Sequence, residues 1–337
     1  MVIDKIAYHL PLYRQHQRLV NAGFRISRPW LTQLIQKAGD LLEPVYQAQF
    51  DSVRASRVKA MDETPIRAGL AAKPGKMNQG YFWPVYGELD EVCFAFHPSR
   101  QHRHAAESLG LQVPENAVLL TDGYGAYEEY AAKTKIRHAR CWSHLRRYFV
   151  KASNAEPEAA EQALQMIAGL YRIEARIKED KLDGQARQAY RAEHAVPIAR
   201  TFFAWVDERL NAQGLLPSNP LTHALAHARA ARAGLEVFLT DADVPIDTNH
   251  LERQIRGIAL GRANWKFCWT ELGARHIALF NSLIVTCRLH EVDPYDYLVD
   301  VLQRIGVHPN LRIAELTPRL WKQHFAAHPM RSDLYKR

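Results

Sequence analysis

The chain has 337 residues, of which 47% are hydrophobic and 24% charged, a composition typical of a globular protein with room for one sizeable core or two. No apolar run approaches the ~18 residues of a membrane span, and the first residues lack the basic and apolar regions of a signal peptide, so we expect no membrane association. Only four cysteines occur, which predicts a reducing, cytoplasmic compartment, and the net charge of +8 favours a polyanionic partner, with nucleic acid the first to consider.

Residues 1–56 are predicted to be helical. The break "NAG" at 21–23 divides them, and Ser27 is placed to cap a second helix that carries Pro29 in its first turn. Two helices around a short turn are compatible with a helix-turn-helix and also with plain helical packing, because nothing in the sequence fixes the angle at which they cross.

Residues 57–154 show the pattern of a sheet with helices. In "RVKAMDETPIR" the period is two, which predicts one strand with Asp62 on its apolar side. The hairpin strands "YFWPVY" and "EVCFAF" and the strands "AVLLTD" and "IRHARCW" follow, with helices near 102–110, near 124–132 and over "SHLRRYFVKAS". This order predicts an α/β fold, with a mixed sheet and helices on its faces.

The remainder of the chain is predicted to be helical. Residues 155–245 are rich in alanine and form a helical insertion. Residues 246–290 return to the sheet domain with a helix that begins at "DTNHLERQIR" and is capped by Asp247 or Thr248. Residues 291–337 form a helical tail.

Three carboxylates are candidates for divalent-metal chemistry. Asp62 would be an ionised group on the buried face of a strand, which is costly unless a partner or a metal compensates. Asp122 ends a buried strand before a glycine-rich loop, where open sheets place ligand sites, although an aspartate there can instead bond the turn. Glu252 lies on a helix beside basic residues and can instead pair with Arg256 on the surface. Such carboxylates suit two Mg²⁺ ions roughly 3.5–4 Å apart.

Other side chains compete for the metal role. Glu63 falls on the opposite face of the strand that carries Asp62, and Asp247 occupies the position of a helix cap. In "HARCWSH" the spacing of His138, Cys141 and His144 resembles that of a zinc site, but structural zinc takes four ligands and no second Cys/His pair is nearby. We therefore expect Cys141 to be a small buried residue, and His144 either to be a helix-start histidine or to contact a phosphate.

Basic residues cluster in two segments. Residues 133–151 hold seven Lys or Arg and no acid, and residues 250–290 hold six against two acids. Positive charge beside an aromatic ring suits contact with a nucleic-acid backbone and base stacking, although some of these residues will simply solvate helix faces. The candidate DNA-binding residues are His144, Arg146, Arg147, Arg253, Arg256, Arg262, Trp265 and Lys266.

The order of the motifs "MDETP", "LLTDGYGAY", "HARCWSHLRRYF", "NHLERQIRGIALGRANW" and "LIVTCRLHEVDPYDYLVDVLQRI" resembles transposases of the insertion sequence 66 family, from about residue 5 to 318. These are DDE enzymes with a ribonuclease-H-like core. The resemblance therefore implies that fold, with the helical insertion before the last catalytic helix. It also implies that Asp62, Asp122 and Glu252 are the catalytic triad and hold two Mg²⁺ ions, with Mn²⁺ as a substitute.

The resemblance further implies DNA as the partner, at both transposon ends and target. It implies hydrolysis at the transposon ends followed by strand transfer, a homo-multimer on DNA, accessory proteins from the same element and a location at the nucleoid. Family members usually begin well upstream of the position that matches Met1, so we expect a truncated chain in which recognition of the terminal repeats is weakened or lost. The alternatives are a non-catalytic DNA-binding remnant and a ribonuclease-H-like nuclease that hydrolyses without joining.

Overall fold

The computed structural model describes residues 1–71, 75–212, 214 and 216–332. The chain forms two compact units, one made of Met1–Pro114 with Leu251–Arg337 and the other of Glu115–His250. Within the described ranges no helix is both long and apolar enough to cross a membrane. The predicted division into five segments, with boundaries near 56, 154, 245 and 290, stays a prediction.

Three helices form the N-terminal segment, namely α1 (Val2–Ile6), α2 (Leu12–Asn21) and α3 (Arg28–Ala55). Ser27 caps α3 as the sequence predicts, because its Oγ accepts a hydrogen bond from Trp30 N at 3.3 Å, and Pro29 lies in the first turn. α3 is 28 residues long and buries an apolar stripe that includes Leu42 and Phe50. A helix-turn-helix role for α2 and α3 stays a prediction.

The described residues of the first unit form four antiparallel strands, namely β1 (Val58–Met61), β2 (Thr64–Leu70), β3 (Met77–Gly87) and β4 (Glu91–His97). β3 pairs with β4 along one edge and with β1 and β2 along the other. The register of β1 and β2 is continuous, because Met61 opposes Val85 and Thr64 opposes Phe82. The two strands are therefore one line of chain with a short interruption.

The interruption at residues 62–63 has a cause in the partner strand. The continuous register places Asp62 opposite Pro84, and Asp62 N donates to Pro84 O at 3.4 Å. The reciprocal bond cannot form, because proline has no backbone N–H. The prediction of one uninterrupted strand was wrong here. The predicted alternation is confirmed in β2, where Thr64, Ile66 and Ala68 are buried.

α13 (Glu271–Leu289) is buried along most of its length and lies against β4. Two of its hydroxyls accept hydrogen bonds from the strand's backbone: Ser282 Oγ from Phe94 N at 2.8 Å and Thr286 Oγ1 from Val92 N at 3.1 Å. These bonds fix the helix against the strand and satisfy buried backbone groups. Other helices of these chain segments are α4 (Arg103–Leu109), α12 (Asn249–Trp265), α14 (Pro294–Arg304) and α15 (Pro318–His324), with a 3-10 helix at Asn310–Leu316.

The second unit begins with a parallel strand pair. β5 (Val118–Thr121) and β6 (Arg137–Arg140) are joined by α5 (Gly125–Thr134), and α6 (Trp142–Ala152) follows. β6 is shorter than the predicted strand "IRHARCW" because α6 already begins at Trp142.

Helices complete the second unit: α7 (Pro157–Glu179), α8 (Gly184–Tyr190), a π-helical turn (Arg191–Ala195), α9 (Val196–Asn211), α10 (Pro220–Leu235) and α11 (Val237–Thr240). Trp142 of α6 contacts the rings of Phe202, Phe203 and Phe238, so the strand–helix part and the helical part of this unit share one core. The predicted α/β class, with parallel and antiparallel strands among many helices, is confirmed.

Candidate active site

Asp62 lies at the interruption between β1 and β2. All four residues of β1 are buried, whereas Asp62, at the interruption that follows, is half-buried. Its Oδ1 accepts a hydrogen bond from the backbone nitrogen of Glu63 at 2.8 Å. The proline opposite thus places a half-buried carboxylate at the break between β1 and β2.

Glu63, the competing ligand on the neighbouring position, is held in an ion pair. Its side chain is only 4% exposed, and its Oε1 accepts a hydrogen bond from Arg100 Nε at 2.7 Å. This contact supplies the counter-charge that a buried carboxylate requires. Arg100 follows β4 in the chain, and sequence reasoning missed it because no local pattern links positions 63 and 100.

Asp122 follows β5 directly and is half-buried. Its Oδ1 accepts a hydrogen bond from Tyr124 N at 2.8 Å, so the turn-bonding role that the sequence left open is present. In the described part of the chain, its other oxygen, Oδ2, accepts no hydrogen bond. One oxygen therefore shapes the loop while the other stays available to a ligand.

Gly123 gives the loop after Asp122 its shape. Its φ is +90°, a conformation that residues with a Cβ rarely adopt, and a Cβ here would lie 1.4 Å from Arg140 Nη1. Arg140 pairs with Glu128 at 2.9 Å through its other terminal nitrogen. The strand-to-loop turn therefore requires glycine for both backbone and steric reasons.

The side chains around Asp122 include a neutral histidine. Burial, and then the charge of Arg140, lower the pKa of His138 to about 4, against the opposing effect of Asp122. The uncharged ring pairs with Thr121 Oγ1 at 2.8 Å. Burial and Arg140 also lower the pKa of His227. Arg140 is therefore a positively charged group beside both histidines.

Cys141 serves the fold, as expected. It is buried, and its Sγ accepts hydrogen bonds from Thr248 N at 3.4 Å and Thr248 Oγ1 at 3.3 Å. Burial raises the pKa of its thiol, which keeps the sulfur protonated and disfavours metal binding. With His138 bonded to Thr121, these contacts do not support a zinc site in "HARCWSH".

Glu252 occupies the first turn of α12 and is half-buried. The buried face of α12 carries Leu251 and Ile258, while Arg253 and Arg256 are exposed beside Glu252. This arrangement leaves the glutamate at the border of a basic, solvent-facing surface.

Asp247 acts as a cap, as predicted. Its Oδ1 accepts a hydrogen bond from the backbone nitrogen of Asn249, the first residue of α12, at 3.0 Å. A carboxylate committed to the helix start has less capacity for a metal, which favours Glu252 over Asp247 as a ligand.

The candidate DNA-binding residues differ in their exposure to solvent. Arg146 and Arg147 are exposed on α6, and His144 is half-buried at its start. Arg253, Arg256 and Lys266 are exposed along or just after α12. Arg262 is used inside the fold, because its Nη1 donates to Pro65 O and burial lowers its pKa.

Trp265 is half-buried, and its ring packs against its own helix. Its ring covers Gly261, where a Cβ would lie 2.7 Å from the indole nitrogen. Trp269, four residues further on, is 68% exposed and was not among the predicted residues. It lies outside α12, in the segment between α12 and α13.

Comparison with known proteins assigns most of the chain to one family. Residues 1–276 match the family described as "Transposase IS66 family", and residues 282–319 match the "IS66 C-terminal element". Three curated proteins of Sinorhizobium fredii (strain NBRC 101917 / NGR234) are similar, each named only as uncharacterized. y4hP is 29% identical over 97% of this chain and 62% of its own length, and y4jD is 31% identical over 96% and 65%. y4qI is 30% identical over 91% and 58%, so the chain spans less than two thirds of each relative.

Proposed function

Because the chain belongs to the IS66 transposase family, we propose that it is a DNA transposase. The family match over residues 1–276 carries this proposal, since that range contains Asp62, Asp122 and Glu252. In the first reaction step, a water oxygen bonds to phosphorus at the transposon end and the P–O3′ bond breaks, which leaves a 3′-hydroxyl. In the second, that hydroxyl oxygen bonds to a target phosphorus and displaces the target's own 3′-oxygen. No covalent bond to the protein forms.

We assign Asp62, Asp122 and Glu252 as the catalytic carboxylates. Their donor chemistry fits the divalent ions of this proposal, because Mg²⁺ and Mn²⁺ prefer carboxylate oxygens and all three side chains are half-buried rather than enclosed. Asp122 supports the assignment best, because its Oδ2 accepts no hydrogen bond from the described residues. Asp62 and Asp122 would share two ions and Glu252 would complete one shell. When bound, the ions would lower the pKa of the attacking water and neutralise charge on the leaving oxygen.

The exposed basic side chains support DNA as the substrate. Four exposed arginines can contact phosphates, namely Arg146 and Arg147 on α6 and Arg253 and Arg256 on α12. Their role is to position the strand, and the chemistry stays with the carboxylates. A multimer that pairs two ends, accessory proteins from the same element and a nucleoid location belong to the same proposal.

Asp122→Asn separates chemistry from binding. It keeps the size of the side chain and removes its charge, so cleavage of DNA that carries the flanks of the gene should fall to background while DNA affinity changes little. Asp207→Asn is the matched control, since Asp207 is also a half-buried aspartate of the same unit, 3.7 Å from Arg232, and the variant should stay active. A fully active Asp122→Asn variant would contradict the assignment. Wild-type cleavage without joined product would favour the nuclease, and binding without cleavage the remnant.

A further inference from the structure

A second group of metal-binding side chains lies where β4 meets α4. His97 ends β4, and His104 and Glu107 lie three residues apart on α4, so they share one face of the helix. Glu107 Oε2 lies 3.2 Å from His97 Nδ1 and 2.6 Å from His104 Nδ1. The imidazole rings stack with centroids 4.3 Å apart. One carboxylate oxygen and two ring nitrogens therefore face a common point.

Two serines hold the opposite ring nitrogens. His97 Nε2 lies 2.9 Å from Ser108 Oγ, and His104 Nε2 lies 2.8 Å from Ser99 Oγ. With a metal bound, each Nε2 would carry the proton and donate it to its serine, and each Nδ1 would present its lone pair to the ion. Metal-binding histidines are typically oriented in this way, by a hydrogen bond from the nitrogen that does not bind the metal.

Two arginines lie close to this cluster. Arg103 Nε lies 3.7 Å from the other carboxylate oxygen, Oε1, so Oε2 is the oxygen left for the cluster. Arg275 also adds positive charge near His97. A bound cation would therefore be repelled by these two arginines, and its binding energy must come from the three ligand atoms.

We propose that His97, His104 and Glu107 bind a divalent transition-metal ion of the zinc type, at a site separate from Asp62, Asp122 and Glu252. Their ligand atoms lie within 4.8 Å of one another, and zinc binding would draw all three to roughly 2.0–2.2 Å from the ion. Two imidazoles select zinc-type ions over Mg²⁺. Glu107 is 47% exposed, so a water can complete the shell from the solvent side.

Such an ion would link the end of β4 to α4 and so hold both ends of the segment between them. That segment carries Arg100, which binds Glu63, the residue after Asp62. Metal binding at this cluster would thus hold the arginine whose ion pair fixes the chain next to a proposed catalytic carboxylate. The site itself does not depend on the proposed function, because its ligands and geometry are independent of the reaction.

The test measures Zn²⁺ binding to the full chain in which Asp62→Asn, Asp122→Asn and Glu252→Gln are combined. This background removes the proposed catalytic ligands, so failure of the transposase proposal cannot mimic failure of the cluster. After EDTA treatment and dialysis, we expect one equivalent of Zn²⁺ by titration calorimetry and metal analysis, and no uptake of Mg²⁺ at the same concentration.

Variants in the same background identify the ligands. Glu107→Gln should weaken Zn²⁺ binding at least as much as Ser108→Ala, for which loss of an orienting partner predicts about 10- to 100-fold. Glu43→Gln, an exposed glutamate on α3, is the matched control and should bind like its parent. Circular dichroism in EDTA reports whether the variants are folded. Absence of Zn²⁺ uptake by the parent, or equal affinity in a folded Glu107→Gln variant, would overturn the proposal and leave the cluster as a hydrogen-bonded network.

Discussion

Replacing Gly123 with alanine tests the structure of the loop that carries Asp122. Two costs are expected. The φ of +90° costs an alanine about 1–2 kcal/mol, partly offset because alanine also restricts the unfolded chain, so the backbone contribution is about 1 kcal/mol. The new Cβ would lie 1.4 Å from Arg140 Nη1, and displacing a packed side chain adds about 1–3 kcal/mol. We expect Gly123→Ala to lower the free energy of unfolding by about 2–4 kcal/mol.

Gly23→Ala is the matched control. Its φ is +88°, and a Cβ there meets nothing within 4 Å, so only the backbone cost of about 1 kcal/mol should remain. Urea unfolding, followed by circular dichroism, measures both variants. Equal destabilisation at the two glycines would show that Arg140 does not fill the space beside Gly123, and would refute the steric part of the reasoning.

A double-mutant cycle with Arg140→Ala isolates that steric part. With the guanidinium removed, Gly123→Ala should cost only its backbone contribution, so the two substitutions should couple by about 1–3 kcal/mol. Additive effects would contradict the contact between Arg140 and the loop.

The remaining predictions concern stability and DNA binding. Burial lowers the pKa of Lys59 from 10.5 to about 8, so the folded chain loses this proton at a lower pH than the unfolded chain. The free energy of unfolding should therefore rise by about 2 kcal/mol between pH 8 and 10. Lys59→Met should lack this rise in urea unfolding, and equal pH profiles for the two proteins would contradict the prediction. Arg191→Met should destabilise the chain by about 3–5 kcal/mol in thermal unfolding, because it leaves Glu174, which Arg191 contacts through two 2.8 Å bonds, without its partner; a loss below about 1 kcal/mol would count against this. Replacing Arg146 and Arg147 together with alanine should reduce the slope of log affinity against log salt by about 2 in DNA binding, and an unchanged slope would remove α6 from the interface.

Local sequence patterns predicted the positions of the carboxylates better than their surroundings. The apolar run before Asp122 and the glycine after it determine a strand end and a tight turn through short-range effects, and the structure has both. The cap at Asp247 is equally local. These features follow from residues within two or three positions of each other, which is the range over which sequence patterns are informative.

The features that the sequence did not reveal depend on distant parts of the chain. The interruption at Asp62 arises because Pro84, on the partner strand, cannot return a hydrogen bond. Glu63 forms an ion pair with Arg100, and Arg262 donates a hydrogen bond to the carbonyl oxygen of Pro65. In each case, pairing across the fold decides the role of a residue that period and spacing alone leave open.

The cluster of His97, His104 and Glu107 also depends on pairing between different elements of the fold. Glu107 and His104 share a helix face and can be recognised from spacing, but His97 belongs to the preceding strand. Only the turn between β4 and α4 brings its Nδ1 within 3.2 Å of the glutamate. The cluster becomes visible as a metal site once the strand and the helix are placed together.

The most direct test of the transposase assignment is a strand-transfer assay with purified protein, Mg²⁺ or Mn²⁺, and DNA that carries the flanks of the gene. Asp62→Asn, Asp122→Asn and Glu252→Gln are compared with Glu63→Gln and Asp247→Asn, neighbouring carboxylates whose contacts are structural. We predict metal-dependent joined products from the wild type, none from the first three variants, and retained joining by the last two wherever they remain folded. Joining that survives in any of the first three variants would contradict the proposed catalytic triad.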